Sequence, residues 1–306
     1  MINDNINFIE PIALEENIVD CEYINSKQSA NVLFKFMKEF KYLKDILIKK
    51  AILPRYYEET IDYLDIKSLD KIVFPMICFC DINLSKLEDH VHYYGKFGIG
   101  FNKSWAIKNG VQPIHYINKN SYIKNDISSI FSKALDDLSN NRLNNELSSN
   151  EYMNYILSHL LFMKPVIGKM RREGDYDTKN FTDEKEWRFI PKIEEKHGID
   201  LIIPIAYIEN EKAYNAYSDG ITQIEELWLK FEINDIEYLM VENEKYRKQL
   251  IEFIMEIENI DEMNKYILIS KIVVYDIMNK DWWFRCLLLL IKLLIKINPL
   301  IKFLNL

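Results

Sequence analysis

The chain has 306 residues, of which 48% are hydrophobic and only eight each are glycine and proline, so a disordered or low-complexity protein is excluded. The formal net charge of -8 at pH 7 disfavours non-specific DNA binding, which depends on lysines and arginines that neutralise phosphates. Four cysteines, Cys21, Cys78, Cys80 and Cys286, show no disulfide framework. The acidic N-terminus lacks the apolar core of a signal peptide, so we expect a cytoplasmic protein.

Apolar residues in the first third of the chain predict a helix and then a buried strand. Helical spacing predicts a helix over 29–50, with 32–36 left open as a short strand. The continuous apolar run at 72–80 predicts a strand inside a sheet. A second strand is predicted at 97–101 and a third at 113–117.

Two glycines interrupt one face of the strand predicted at 97–101. Alternation leaves bare backbone at Gly98 and Gly100, opposite a face of apolar side chains. Glycine weakens a strand interior, so this pattern indicates that something approaches that face closely. It is either a ligand or a neighbouring strand or helix. The spacing does not match the dinucleotide-binding fingerprint, which excludes a Rossmann fold.

The second half of the chain mixes strands and helices without a repeating βαβ rhythm. A polar segment at 171–183 predicts an exposed loop, and 242–258 predicts a helix. Further strands are predicted at 184–191, 201–208, 227–233 and 267–275. We therefore expect an α+β fold in which helices flank a mainly antiparallel mixed sheet, in one domain over 1–281.

Charged residues alternate along the strand predicted at 184–191. Glu184, Glu186 and Arg188 fall on one face. This stripe is either a solvated face with cross-strand pairing or a catalytic pair of carboxylates. In the second case one carboxylate stabilises an oxocarbenium-like centre while the other takes a proton.

Histidines and thiols lie close together in the sequence but do not predict a metal site. His90 and His92 are two residues apart and point to different faces of a helix, while Cys78 and Cys80 lie on a buried strand. We therefore expect no metal. His90 is either a buried histidine bonded to a neighbour or a residue that faces a cleft.

The C-terminal segment 282–306 is apolar and basic. Arg285, Lys292 and Lys296 cluster on one side of a helical wheel, which predicts an amphipathic helix. Such a helix fits an anionic membrane surface, and the alternative, which we favour, is a helix docked on the core or on another subunit.

Several segments resemble the AbiGi family of bacterial abortive-infection (phage-resistance) proteins. The resemblance spans roughly 30–283 and rests on segments that occur in the family's order: LFKFM, ILPRYYEE, PMICFCDINLSKLEDH, YYGKFGIGFNKSW, KPVIG and DEKEWRFIP. It implies a two-gene system in which this protein is the antitoxin. The implied partner is a toxin similar to a nucleotidyltransferase.

The order of these motifs also resembles, remotely, the ADP-ribosyltransferase fold. That resemblance implies NAD as cofactor, with Glu186 holding the nicotinamide ribose hydroxyl and Glu184 orienting the acceptor. Arg55 or His90 would contact the phosphates or ribose. The full set of predicted cofactor-binding residues is Arg55, His90, Tyr94, Gly98, Gly100 and Arg188.

The chain departs from the pattern in its first strand. Where relatives tend to have His and Thr, it has Lys35 and Met37. Three hypotheses follow: an NAD-using effector (ADP-ribosyltransferase or NAD glycohydrolase), a non-enzymatic antitoxin that binds a toxin, and an effector directed to the membrane by 282–306.

Overall fold

The computed structural model describes residues 23–66, 69–139, 158–172, 175–203 and 210–280. The strands are β1 (Val32–Met37), β2 (Ala51–Ile52), β3 (Arg55–Thr60), β4 (Lys71–Cys80), β5 (Phe97–Asn102), β6 (Gln112–Pro113), β7 (His115–Ile117), β8 (Met163–Pro165), β9 (Ile167–Arg172), β10 (Asp175–Asn180), β11 (Glu186–Phe189), β12 (Leu229–Lys230), β13 (Ile236–Val241) and β14 (Ile272–Val274). The helices are α1 (Phe40–Lys49), α2 (Leu87–Tyr94), α3 (Lys103–Lys108), α4 (Tyr122–Ser139), α5 (Glu211–Ile221), α6 (Glu244–Glu256), α7 (Glu262–Ser270) and α8 (Tyr275–Lys280).

The largest sheet within these ranges has eight strands. Its order is β14-β13-β5-β1-β4-β11-β6, and β3 also pairs with β4. Neighbouring strands in this sheet are antiparallel except β13 and β14, which are parallel. The predicted α+β class with a mainly antiparallel sheet is confirmed.

The main core lies on one face of this sheet. Leu33, Ile99 and Phe101 point to that face and are fully buried. Helix α1 packs against it through Leu43 and Leu47, which lie one turn apart on its apolar stripe. Because α1 covers this face, the side chains of the opposite face point away from the main core.

The opposite face carries the residues of the predicted site. Along one row, Gly100 lies opposite Phe34, Phe34 opposite Cys80, and Cys80 opposite Glu186. Residues that pair directly across strands share a face of the sheet. The glycines and the acidic strand therefore lie on the same face, separated by β1 and β4, and do not form two opposing walls.

Phenylalanine rings fill the space above the glycines. A Cβ atom at Gly98 would lie 2.8 Å from the ring of Phe36, and one at Gly100 would lie 2.8 Å from the ring of Phe34. The close approach predicted for this face is therefore made by side chains of the neighbouring strand β1.

The polar segment at 171–183 was predicted as an exposed loop, and this was wrong. Strand β10 pairs with β9 as an antiparallel hairpin, and a 3-10 turn at Phe181–Glu184 follows it. This hairpin lies outside the main sheet. A hairpin outside the main sheet needs no continuous apolar face. Because strands were predicted from apolar patterns, this hairpin was missed.

The strand predicted at 267–275 was wrong over most of its length. Helix α7 reaches Ser270, and only Ile272–Val274 form the parallel edge strand β14. A continuous apolar run fits a buried strand and a buried helix equally, so periodicity alone does not separate them.

Three predictions concern residues outside the described ranges. These are the amphipathic C-terminal segment 282–306, most of the strand at 201–208, and the domain boundary at 281. Ile203 is described and forms an isolated bridge with Val73. Within the described ranges, no helix combines the length and apolar character needed to cross a membrane.

Candidate functional site

A cavity of about 280 Å³ opens on the sheet face that carries Glu186. Glu184 and Glu186 line it together with His90 and Tyr94 of α2. We call it the acidic cavity. Four of the predicted site residues therefore lie around one space, although they are separated by about ninety positions in the chain.

The turn before β11 brings the two glutamates into the cavity. Glu184 ends the 3-10 turn Phe181–Glu184, and Lys185 adopts a left-handed backbone with φ of 42°. Strand β11 then starts at Glu186. Both glutamates are buried, with relative exposures of 3% and 5%. The alternative of a solvated charged stripe is therefore wrong.

Helix α2 supplies the opposite side of the cavity. Its end at Gly95 is enforced sterically, because φ is 107° and a Cβ atom there would lie 2.2 Å from the carbonyl oxygen of Met37. His90 and Tyr94 lie one helical turn apart, and their rings are 4.4 Å apart between centroids. The His90 ring also lies 5.3 Å from that of Phe36.

Glu186 is held by two cations. The Nε of Arg188 donates to Oε1 over 2.6 Å, and the Nζ of Lys164 donates to Oε2 over 2.7 Å. Arg188 is fully buried, also pairs with Glu59 at 3.1 Å, and donates from Nη1 to the carbonyl oxygen of Leu161. Arg188 therefore supports Glu186 from within the core and does not line the cavity.

Glu184 has its own set of partners. The Nζ of Lys179 donates to Oε1 over 2.6 Å, and the Nζ of Lys164 donates to Oε2 over 3.3 Å. The hydroxyl of Tyr94 also donates to Oε1. Lys164 thus bridges the two glutamates.

The charges in this network balance. Three carboxylates (Glu59, Glu184 and Glu186) meet three cations (Lys164, Lys179 and Arg188). Balance is what a buried ionic network needs, because an uncompensated charge in a core costs several kcal/mol. Hereafter these six residues are called the buried ionic network.

The network keeps both glutamates ionised at neutral pH. Burial raises the pKa of Glu186, but the charges of Arg188 and Lys164 outweigh burial and hold the pKa well below its ordinary value. Burial likewise raises the pKa of Glu184, and Lys164 and Lys179 reverse this effect. Neither glutamate is therefore a proton donor at neutral pH, whereas each can stabilise positive charge.

His90 and Tyr94 are neutral groups in the cavity wall. Burial lowers the pKa of His90 to about 4, so its imidazole carries no charge at neutral pH. Burial and the nearby Glu184 raise the pKa of Tyr94, so its hydroxyl remains a hydrogen-bond donor. Both side chains can bind polar groups of a ligand without adding charge.

Comparison with known proteins identifies the family. A family model described as "Putative abortive phage resistance protein AbiGi, antitoxin" matches residues 50–242. The "Abortive phage resistance protein AbiGi" of Lactococcus lactis subsp. cremoris is 35% identical over 254 residues, which cover 76% of this chain and 100% of the relative. The chain belongs to the AbiGi family. This confirms the predicted family membership.

No solved structure matches the chain, so no structural relative supports the remote resemblance to ADP-ribosyltransferases. The AbiGi family match includes the whole buried ionic network, together with His90 and Tyr94. Lys35 lies before the residues that the family model matches.

Four of the six predicted cofactor-binding residues do not line the acidic cavity: Arg188, as described above, and Gly98, Gly100 and Arg55. Gly98 and Gly100 are covered by phenylalanine rings. Arg55 lines a second space of about 660 Å³, which we call the wide cavity, and forms an ion pair with Asp219 at 3.7 Å.

Sequence reasoning missed the two lysines of the network. Lys164 begins the family segment KPVIG, which was the available signal for it. Lys179 lies on β10, inside the segment taken for an exposed loop. The sequence therefore placed Lys164 in a family motif and Lys179 in a polar segment. Nothing in it identified either lysine as a partner of Glu184.

Proposed function

We propose that this chain acts in abortive infection against phage as an antitoxin that binds and restrains a toxin partner. The observation that carries the proposal is the family match, whose description names an antitoxin. The name of the lactococcal relative, an abortive phage resistance protein, supports the same biological role. The partner we propose is a nucleotidyltransferase-like toxin encoded by the adjacent gene.

The geometry of the acidic cavity supports a role without catalysis. Glu184 and Glu186 each use both carboxylate oxygens in bonds to cations of the buried ionic network. An ionic network that is satisfied internally holds strands and turns in one arrangement. In this proposal it fixes β11 and the β9–β10 hairpin, and so shapes the surface that meets the toxin.

Co-expression tests the antitoxin proposal. The product of the adjacent gene is expressed alone and together with this chain, and growth and co-purification are measured. Arrest by the adjacent product, relief by this chain and a stable complex are the expected results. His90→Asn serves as a control variant of this chain. It changes the wall of the acidic cavity outside the buried ionic network, so it should still relieve arrest. Growth arrest caused by this chain alone would contradict the proposal.

A second candidate is an NAD-using enzyme, favoured by the convergence of Glu184, Glu186, His90 and Tyr94 on one cavity. In this reaction the bond between the ribose carbon and the nicotinamide nitrogen breaks, and nicotinamide leaves with the bonding electrons. The ionised Glu186 stabilises the oxocarbenium-like ribose. Water or an acceptor then attacks, giving free or transferred ADP-ribose and releasing a proton.

Nicotinamide release tests the enzyme candidate directly. The purified chain is incubated with NAD, alone and with the adjacent gene product, and nicotinamide is measured by chromatography. The enzyme candidate predicts release that Glu184→Gln reduces in protein whose folding circular dichroism confirms. Absence of nicotinamide in both incubations would eliminate this candidate and leave the antitoxin proposal standing.

A further inference from the structure

The main sheet is split at β4, because β1 and β3 pair with different parts of that strand. Strand β1 pairs with β4 where Phe34 lies opposite Cys80, whereas β3 pairs with β4 over Lys71–Met76. The acidic and wide cavities share lining residues at this point, namely Lys35, Phe36, Tyr57 and Met76. The two spaces therefore meet at the split, and we call them together the cleft.

Lys35 lies where the two cavities meet, and among the described residues its charge has no counter-ion. Its side chain is half-buried, and across the described residues its ammonium has no hydrogen-bond or ion-pair partner. By contrast, the buried Lys103 pairs with Asp81 at 2.7 Å, and the half-buried Lys164 pairs with Glu186 at 2.7 Å.

An unpaired ammonium in this position is unfavourable for the protein alone. Burial lowers the pKa of Lys35. A buried charge without a partner costs free energy that an apolar side chain of similar length would not cost. A residue that costs stability where it lines a cavity is typical of a binding site.

We propose that the cleft binds a small organic anion whose phosphate or carboxylate group is seated on the Lys35 ammonium. The rest of the ligand extends into the acidic cavity, where the glutamates and neutral His90 favour hydroxyl or amino groups over further negative charge. The ring of Phe36, which lines both cavities, offers an apolar surface between the two ends. This inference depends on neither function proposed above.

Three variants of the full chain isolate the charge of Lys35. Lys35→Met removes the charge and keeps the length of the side chain, while Lys35→Arg keeps the charge. Lys108→Met is the matched control, because Lys108 is exposed and lines neither cavity. The probes are inorganic pyrophosphate and malonate at equal ionic strength, and binding is measured by isothermal titration calorimetry.

We expect the unmodified chain, Lys35→Arg and Lys108→Met to bind at least one probe. Lys35→Met should weaken that binding about tenfold or more, the usual effect of losing a hydrogen bond to a charged group. Binding of pyrophosphate alone identifies a phosphate ligand, and binding of malonate alone identifies a carboxylate. Absence of binding of both probes to the unmodified chain, or equal binding by Lys35→Met, would overturn the proposal.

The melting temperature without probe separates a binding role from a structural one. If Lys35 serves binding and does not stabilise the fold, replacing it costs no stability. Lys35→Met should therefore melt at the same temperature as the unmodified chain or higher. If Lys35→Met melts at a clearly lower temperature than Lys108→Met, Lys35 is structural and the proposal fails. Because these measurements report binding and stability, their failure leaves the antitoxin proposal untouched.

Discussion

The substitution Glu186→Gln tests whether the buried ionic network stabilises the fold. It removes one negative charge and keeps the shape of the side chain. Arg188, which is fully buried, and Lys164, which is 13% exposed, then lose a carboxylate partner at 2.6 and 2.7 Å. Three cations would face two carboxylates, so one positive charge would remain uncompensated in the core.

The expected loss is large because both partners of Glu186 are out of water. With an effective dielectric constant of about 20, two unit charges about 4 Å apart attract by about 4 kcal/mol. Desolvation of the carboxylate offsets part of this attraction. Breaking a buried pair from one side costs about 3–5 kcal/mol, and we expect Glu186→Gln to reduce the free energy of unfolding by that amount.

Urea unfolding followed by circular dichroism measures this loss. Glu244→Gln is the matched control, because Glu244 pairs with Arg247 at 2.9 Å on the surface, where both side chains are 45% exposed. The control should lose at most about 1 kcal/mol. Adding Lys164→Met to Glu186→Gln restores the charge balance and should recover part of the stability. A loss for Glu186→Gln no larger than that of the control would refute the reasoning.

Two further predictions concern pH and the glycine face. The pKa values of Glu184 and Glu186 are lowered by folding, so the unfolded chain binds protons first, and the free energy of unfolding should fall as pH drops below 4.5. A pH series of urea titrations should show a smaller fall for Glu186→Gln, and equal slopes would contradict this. Gly98→Ala should destabilise by about 1–3 kcal/mol, because its Cβ atom would meet the ring of Phe36 at 2.8 Å. Gly220→Ala, in a helix with open space around it, should instead stabilise by about 0.5–1 kcal/mol in the same thermal unfolding assay.

Strands with a strong apolar pattern were predictable from the sequence. The run at 72–80 became β4, and the alternating segment at 97–101 became β5, each with an error of one residue at an end. The hairpin β9–β10 was not predictable, because its polar composition carries no period-two apolar signal. The pairing register between strands far apart in the sequence could not be predicted either. That register decides which residues share a face of the sheet.

The acidic pair of the site was predictable, but its environment was not. Alternation placed Glu186 and Arg188 on one face, where they do form an ion pair. The sequence left open whether that face is solvated, because burial depends on Lys164 and on how the β9–β10 hairpin folds. The choice at Gly98 between a ligand and a neighbouring strand likewise depended on the pairing of β5 with β1.

The growth of cells that express the adjacent gene product, with and without this chain, tests the central claim most directly. The antitoxin account predicts arrest by the adjacent product alone and normal growth when this chain is co-expressed. It also predicts that the two proteins elute together from a sizing column. Arrest by this chain alone, or no relief by this chain in cells that contain both folded proteins, would contradict the account.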